Sequence, residues 1–354
     1  MTHRIALSRR TLLASAAAAA ATWSVGKPDS ARAQTFDRDA LIAGAKKEGN
    51  LVWYATTGED QINQALKRFK AEYPFIDTSG TVRASSGRLK ARLDSEIATS
   101  RVLGDALQMG SFGQFLNYAK AGALDGFETP EMNAFPASFK QQGLWTVFRN
   151  SPVLIAYNSQ KVTEADAPKS WAALLDPKYQ GKIALLDSTT GGQHVHWHVL
   201  RDKLGPDYWA KLADNKPVIV SSPNAVIDGL LTGDFAFACH AYGYTVVEYQ
   251  RNGAPIKAII PSDGVPILVS PIGVLKGGPN PNAARLFVDW ILSKKGQTAI
   301  VEIMNDYSPR SDVPAPAGLP AWDNLNKLVP PNWDAFAATT GEFGKDWEKL
   351  QAKK

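Results

Sequence analysis

Cysteine occurs once in the 354 residues, at Cys239, so no internal disulfide can form and stability must come from packing. Long apolar runs are missing too. No stretch beyond residue 33 approaches the ~20 apolar residues that a membrane-spanning helix needs. Charge of one sign is scarce: Lys and Arg total 39 against 34 Asp and Glu, and the surplus is concentrated in the first 33 residues. Without that stretch the net charge is +1, which excludes the broad basic field of a nucleic-acid or membrane-surface binder. No Gly-x-Ser-x-Gly elbow, no HExxH and no carboxylate pair at informative spacing is present, so the usual marks of a hydrolase are lacking.

Residues 1–33 read as an export signal. Arg9 and Arg10 precede Thr11-Leu12-Leu13 and an alanine-rich run from Ala14 to Ala21, and Ala31-Arg32-Ala33 supplies a small-x-small cleavage site. The apolar run is too short to anchor a membrane. The paired arginines resemble a twin-arginine signal, which exports folded cargo. The mature protein then begins near Gln34 and works in the periplasm. Its ~320 residues suit one large domain or two lobes of ~100–150 residues.

Along the mature chain, short apolar strands alternate with polar loops and helices. Leu51 to Ala55 is a strand and Thr56-Thr57-Gly58 a loop. A helix with Ile62, Leu66 and Phe69 on one face ends before Pro74. A polar strand over 78–83 leads to Ser85-Ser86-Gly87 and a helix, and a strand over 106–109 leads to Gly110-Ser111. This is the grammar of an open α/β sheet, whose ligands bind beyond the carboxyl ends of the strands. Residues 144–158 read as a long extended segment. A second α/β block follows, with a strand over 183–186, a helix over 193–204 and a strand over 235–239 that buries Cys239. Residues 261–273 form a second extended passage. Helices over 282–292, 297–304 and 334–349 close the chain.

Three further segments carry a family resemblance. They are Pro168-Lys169-Ser170-Trp171 with Leu174 to Ile183, then Gly253-Ala254-Pro255-Ile256 with Pro261-Ser262-Asp263-Gly264, and Pro281 to Trp290 with Gly296-Gln297. With Leu51–Tyr54 and Ser308-Pro309-Arg310, they resemble the periplasmic solute-binding proteins of ABC importers, in the branch that includes iron(III)-binding proteins. The resemblance implies an α/β, two-lobed periplasmic binding protein (type II) fold with two extended crossovers and a central ligand cleft. It places lobe 1 at 35–150 and 265–354, and lobe 2 at 151–264. It implies a monomer that closes on a small-molecule ligand by a hinge motion and docks on a membrane permease, with no catalysis, no cofactor and no nucleic acid.

Candidate ligand contacts follow from the loops. Ser188-Thr189-Thr190-Gly191-Gly192 lies between a strand and a helix, where free N–H groups attract anions and Thr190, Gly191 and Gly192 allow close approach. A plain helix cap is the alternative. Thr56, Thr57, Ser85, Ser86 and Ser111 occupy equivalent turns of the first lobe, with Arg88 one turn into a helix. Arg310 either clamps a ligand anion or holds a salt bridge.

Iron-binding relatives place adjacent tyrosines after the second-lobe strand. Here Tyr242 is followed by Gly243 and then Tyr244. A histidine near the first strand and a glutamate after the third are also replaced, by Ala55-Thr56-Thr57 and by Gly110-Ser111. Iron(III) favours hard anionic oxygens. Tyr242 therefore reads as an aromatic wall or hydrogen-bond donor for an organic ligand, and Tyr244 as lobe packing. Iron(III) carriage remains the alternative in the same fold. His194, His196 and His198 cluster within five residues. On a helix His194 and His198 share a face and His196 points away.

Overall fold

The computed structural model describes residues 36–187 and 192–352. The expected signal at 1–33 and the turn residues Ser188, Thr189, Thr190 and Gly191 lie outside the described residues. Among the described residues no helix is long and apolar enough to cross a membrane.

The first block runs α1 (Arg38–Glu48), β1 (Trp53–Ala55), α2 (Glu59–Glu72), β2 (Val82–Arg83), α3 (Ser86–Ala98), β3 (Ala106–Gln108), α4 (Phe112–Lys120), β4 (Leu124–Asp125) and β5 (Lys140–Gln141). The long strand β6 (Trp145–Asn158) leads to β7 (Ile183–Leu186), α5 (Gln193–Leu204), α6 (Tyr208–Asp214), β8 (Val218–Val220), α7 (Pro223–Thr232), β9 (Phe237–Tyr242), α8 (Gly243–Arg251) and β10 (Ile256–Ile259). A second long strand, β11 (Val265–Leu275), returns to α9 (Pro281–Leu292), α10 (Lys294–Met304), β12 (Lys327–Leu328), α11 (Trp333–Ala338) and α12 (Thr340–Ala352).

Two half-sheets share β6. In the first, β2, β1 and β3 are parallel, β3 pairs antiparallel with β11, and β11 with β6 over residues 145–152. At Val153 the strand changes partner and pairs with β9 and β10, and β9, β7 and β8 continue in parallel. The result is the expected two-lobed α/β fold with two extended crossovers. The polar strand expected over 78–83 is reduced to β2. The strand expected over 235–239 is shifted to 237–242, so Tyr242 ends a strand rather than following one.

The amphipathic spacing read in α2 holds, since Ile62, Leu66 and Phe69 are buried against α9. Phe69 meets Phe287 edge-on at 5.1 Å, and Trp53 lies 5.0 Å from the same ring. Fully burying each such ring contributes about 3 kcal/mol at most. The second-lobe entry and the return crossover hold each other. The Asp263 carboxylate accepts from the Trp171 and Ala172 amides at 3.0 Å each, and Trp171 Nε1 donates to the Gly264 carbonyl at 2.8 Å.

The end of the chain, expected in the first lobe, packs on elements of both blocks. Trp333 of α11 packs edge-on against Phe112 of α4 at 4.6 Å, but α12 lies on the second lobe. There Trp347 meets Trp209, and Arg201 pairs with Glu342 at 2.5 Å. Large aromatic faces on α5 and α6 need cover, and α12 supplies it.

Asp105, fully buried, joins β1 and β3 to the start of α9. It accepts from Val52 N at 2.7 Å, Asn280 N at 2.7 Å and Asn280 Nδ2 at 3.0 Å. Asp105→Ala orphans two partly buried backbone donors and should lower unfolding free energy by about 2 kcal/mol with an unchanged urea m-value. A loss below about 1 kcal/mol would show that water replaces the carboxylate.

Candidate ligand-binding site

Strand direction brings the site together. β3 runs antiparallel to β11, so its carboxyl end at Gln108, opposite Ile272, points toward Ser270. β9 runs antiparallel to β6 and ends at Tyr242, opposite Val153. Both sets of parallel strands therefore end at one stretch of the crossover strands, where Arg149 faces Ser270 and Ser151 faces Leu268. The turns at 56–57, 84–85 and 110–111 follow the first set of strands, and Tyr242, Gly243 and Tyr244 close the second, with Gly192 beside them. Gly192 is required by the close approach. A Cβ there would stand 2.2 Å from Leu268 Cδ1 and 3.0 Å from Tyr242 Oη. The opposing helices also meet, since a Cβ on Gly113 of α4 would lie 3.5 Å from His194 Nδ1 of α5.

The first-lobe rim is ordered by a residue that loop composition does not reveal. Gln108 is fully buried, and its Oε1 accepts from Thr56 N (2.9 Å), Thr57 N (3.2 Å) and Thr57 Oγ1 (3.0 Å). Thr56 Oγ1 accepts from Gly110 N at 2.8 Å. Thr57 is thus a buried loop brace rather than an open rim hydroxyl. Gln108 Nε2 is buried with no partner among the described residues. Ser85 and Ser111 are the N-caps of α3 and α4, yet neither hydroxyl makes a capping bond. Ser86 is buried, while Ser85 and Arg88 are exposed.

Tyr242 and Tyr244 stack at 5.4 Å with 12° between their planes. Tyr244 packs against the core of the second block, as read from the sequence, with its ring lying on that of Tyr242. Burial holds the Tyr242 phenol far above its ordinary range, and burial pushes Tyr244 up to about 12. Both are hydroxyl donors at neutral pH. Arg310 is remote from this chemistry. Four of its five N–H groups are engaged, with Glu131 at 2.7 Å, the Leu292 carbonyl at 2.9 Å and Asp312 at 2.9 and 3.0 Å. The geometry favours the salt-bridge reading of Arg310 over the ligand clamp.

The histidines divide as helical spacing requires. His194 and His198 share Thr339 Oγ1, at 2.9 and 3.3 Å, and His194 stacks on Phe336 at 4.2 Å. His196 points into the core and pairs with His240, Nδ1 to Nδ1 at 2.7 Å, with both rings fully buried. Among the described residues no three His, Cys, Asp or Glu side chains gather as a metal site. Burial lowers His194 to about 4 and His196 to about 3, and holds His240 well below its ordinary range. Cys239 is buried and its thiol is raised by the same desolvation, which leaves it a packing residue.

These imidazoles take up protons only on unfolding, so they withdraw stability as pH falls from 6.5 toward the folded values. Each contributes a slope of about 1.4 kcal/mol per pH unit. Asp306, raised by burial to about 6, acts in the opposite sense between 3.8 and about 6. Comparing variants isolates the histidine. His196→Gln should reduce the pH-dependence of unfolding free energy between pH 6 and 4 by about 1.4 kcal/mol per pH unit. Equal slopes would refute a neutral buried His196.

Comparison with known proteins places this geometry. Residues 64–327 match the model of the bacterial extracellular solute-binding protein family. Iron uptake protein A2 of Synechocystis is 26% identical over 283 residues, 72% of this chain and 78% of its own length. Iron-bound HitA from Pseudomonas aeruginosa superimposes with a TM-score of 0.75 at 20% identity, over 85% of this chain and 99% of its own. AfuA from Actinobacillus pleuropneumoniae, solved with fructose-6-phosphate, gives 0.74 at 21% identity, over 86% and 98%. Members of the family that serve ABC importers bind small molecules and work with membrane permeases. With three-quarters of the chain matched, and its strands converging on a cleft between two lobes, the protein belongs to the bacterial extracellular solute-binding proteins.

Proposed function

We infer that this protein is the periplasmic substrate-binding component of an ABC importer, capturing a small polar or anionic organic solute between its lobes by hinge closure. One observation carries the reading. Helices α2, α3, α4, α5 and α8 all follow strands that run toward the crossover, and among the described residues none has a side-chain cap. Elsewhere Asp37, Ser293 and Asn332 cap α1, α10 and α11, Ser222 caps α7 after the outermost strand β8, and Glu48 accepts from Asn282 and Ala283 at the start of α9, while the short α6 is the exception, with no side-chain cap at Asp207. Uncapped N–H groups with the positive end of the helix dipole bind anions. Five such termini around one cleft favour an anionic group over a neutral one.

In this reading residues 1–33 are a twin-arginine export signal. Lobe 1 comprises 35–150 and 265–354, with α12 resting on lobe 2 (151–264). Thr56, Ser85, Ser86, Ser111, Thr190, Gly191, Gly192 and Tyr242 line the cleft, with Thr57 supporting the rim. Binding involves no turnover, and closure presents one surface from each lobe to the permease.

Native mass spectrometry of the mature protein, with and without mild unfolding, tests this directly. A released organic mass is expected, and Tyr242→Ala should weaken rebinding of that solute at least tenfold, about 1.4 kcal/mol. Release of iron, with a visible absorption band abolished by Tyr242→Phe, would overturn the organic-solute reading in favour of iron(III) carriage.

A further inference from the structure

The floor of the cleft holds a charged group that none of the loop motifs supplies. Along β6, Arg149, Ser151 and Val153 alternate onto one face, and their partners across the strands are Ser270, Leu268 and Tyr242. This is the face that Gly192 approaches. Arg149 brings a full positive charge to it, with its side chain only 11% exposed.

That charge is poorly met. Among the described residues Arg149 Nε is buried and makes no hydrogen bond, and it lies 3.5 Å from Asp306 Oδ2. Nη2 reaches Ser270 Oγ at 3.3 Å, and Nη1 meets the soft Met304 sulfur at 3.5 Å. Arg310, by contrast, engages four N–H groups with two carboxylates and a carbonyl. Asp306 is itself half-satisfied: Oδ2 accepts from Ser151 Oγ at 2.6 Å, while Oδ1 is buried with no partner among the described residues. A buried guanidinium left with unfilled donors is costly unless a further acceptor arrives. The stacked phenols feel this field, since Arg149 stabilises the charged form of both Tyr242 and Tyr244.

We propose that Arg149 is the charge anchor of the cleft, taking one oxyanion of the solute (carboxylate, phosphonate or phosphate) on the unfilled N–H groups of its guanidinium. Asp306 is the internal anion that holds the side chain in place and competes with the solute for it. Ser151 fixes the carboxylate, and Tyr242 and Tyr244 wall the bound group. The assignment rests on the solute-carrier reading above, and deepens it by naming the residue that selects charge.

Calorimetric titration of the mature protein, stripped of bound solute, uses inorganic phosphate, methylphosphonate and acetate as probes at fixed ionic strength. Wild type should bind at least one. Arg149→Met should weaken that probe by about 30-fold or more, while Arg149→Lys, which keeps the charge but loses the planar fork, should cost about fivefold. Asp306→Asn removes the competing anion and should tighten the same probe about threefold or more. A purely structural ion pair predicts the reverse for Asp306→Asn: lower stability with unchanged or weaker binding. Arg149→Met binding within threefold of wild type, or Asp306→Asn failing to tighten, overturns the anchor and leaves the carrier reading standing. Should Arg149→Met not fold, the Asp306→Asn result decides alone. Wild type binding none of the three probes overturns the anchor too, and a neutral solute released in native mass spectrometry would then show that the carrier reading survives it.

Discussion

One strand, β6, belongs to two sheets, and the rest of the molecule depends on that. Residues 145–152 hydrogen-bond to β11 in the first lobe, and residues 153–158 to β9 and β10 in the second. Backbone donors and acceptors must be paired when buried, so a strand that changes partners forces two sheets to meet at the change. Pro152, which has no amide hydrogen, stands at that point. Because β3 and β9 both run antiparallel to the crossover strands, their carboxyl ends are driven toward the same few residues. The cleft is a consequence of strand direction.

What the cleft presents is largely unsatisfied hydrogen-bonding capacity. A single helix terminus attracts an anion by about 0.3–1 kcal/mol when exposed. Five termini without side-chain caps add in direction even where each is weak. A guanidinium in a low-dielectric floor is a stronger source, with an interaction scale of about 4 kcal/mol at 4 Å for partly screened charges. The termini therefore shape and orient the bound group, while Arg149 dominates the choice of its charge. Groups that serve structure are treated differently. Arg310, Asp105 and the His194–Thr339–His198 contacts are closed networks whose partners lie within the protein.

Several sequence readings survive because local spacing has few outcomes. The buried face of α2, the bounds of α5 and the two long extended passages follow from periodicity and length. His194 and His198 separate from His196 because a helix turns 100° per residue. The tasks of other residues were not legible. Thr57 looks like an open loop hydroxyl, yet Gln108, 51 positions away, draws it inward. Tyr244 packs as expected, but that its partner is the Tyr242 ring shows only in the fold. The final helix lies on the second lobe because Trp209 and His194 need aromatic cover, a demand set by residues more than 130 positions earlier.

The sequence alone determined that the chain is an α/β protein of alternating strands and helices, without disulfides, membrane-spanning helices or a strong overall charge. These are properties of composition and short-range period, and each residue contributes to them independently of its distant neighbours. Tertiary structure alone decided which polar groups are open to a ligand. Arg149 and Arg310 are equally charged in the sequence, and both are largely buried in the fold. One meets two carboxylates and a carbonyl, while the other is left with unfilled donors at the cleft floor. The difference lies in the placement of acceptors across long stretches of chain, which no local pattern encodes.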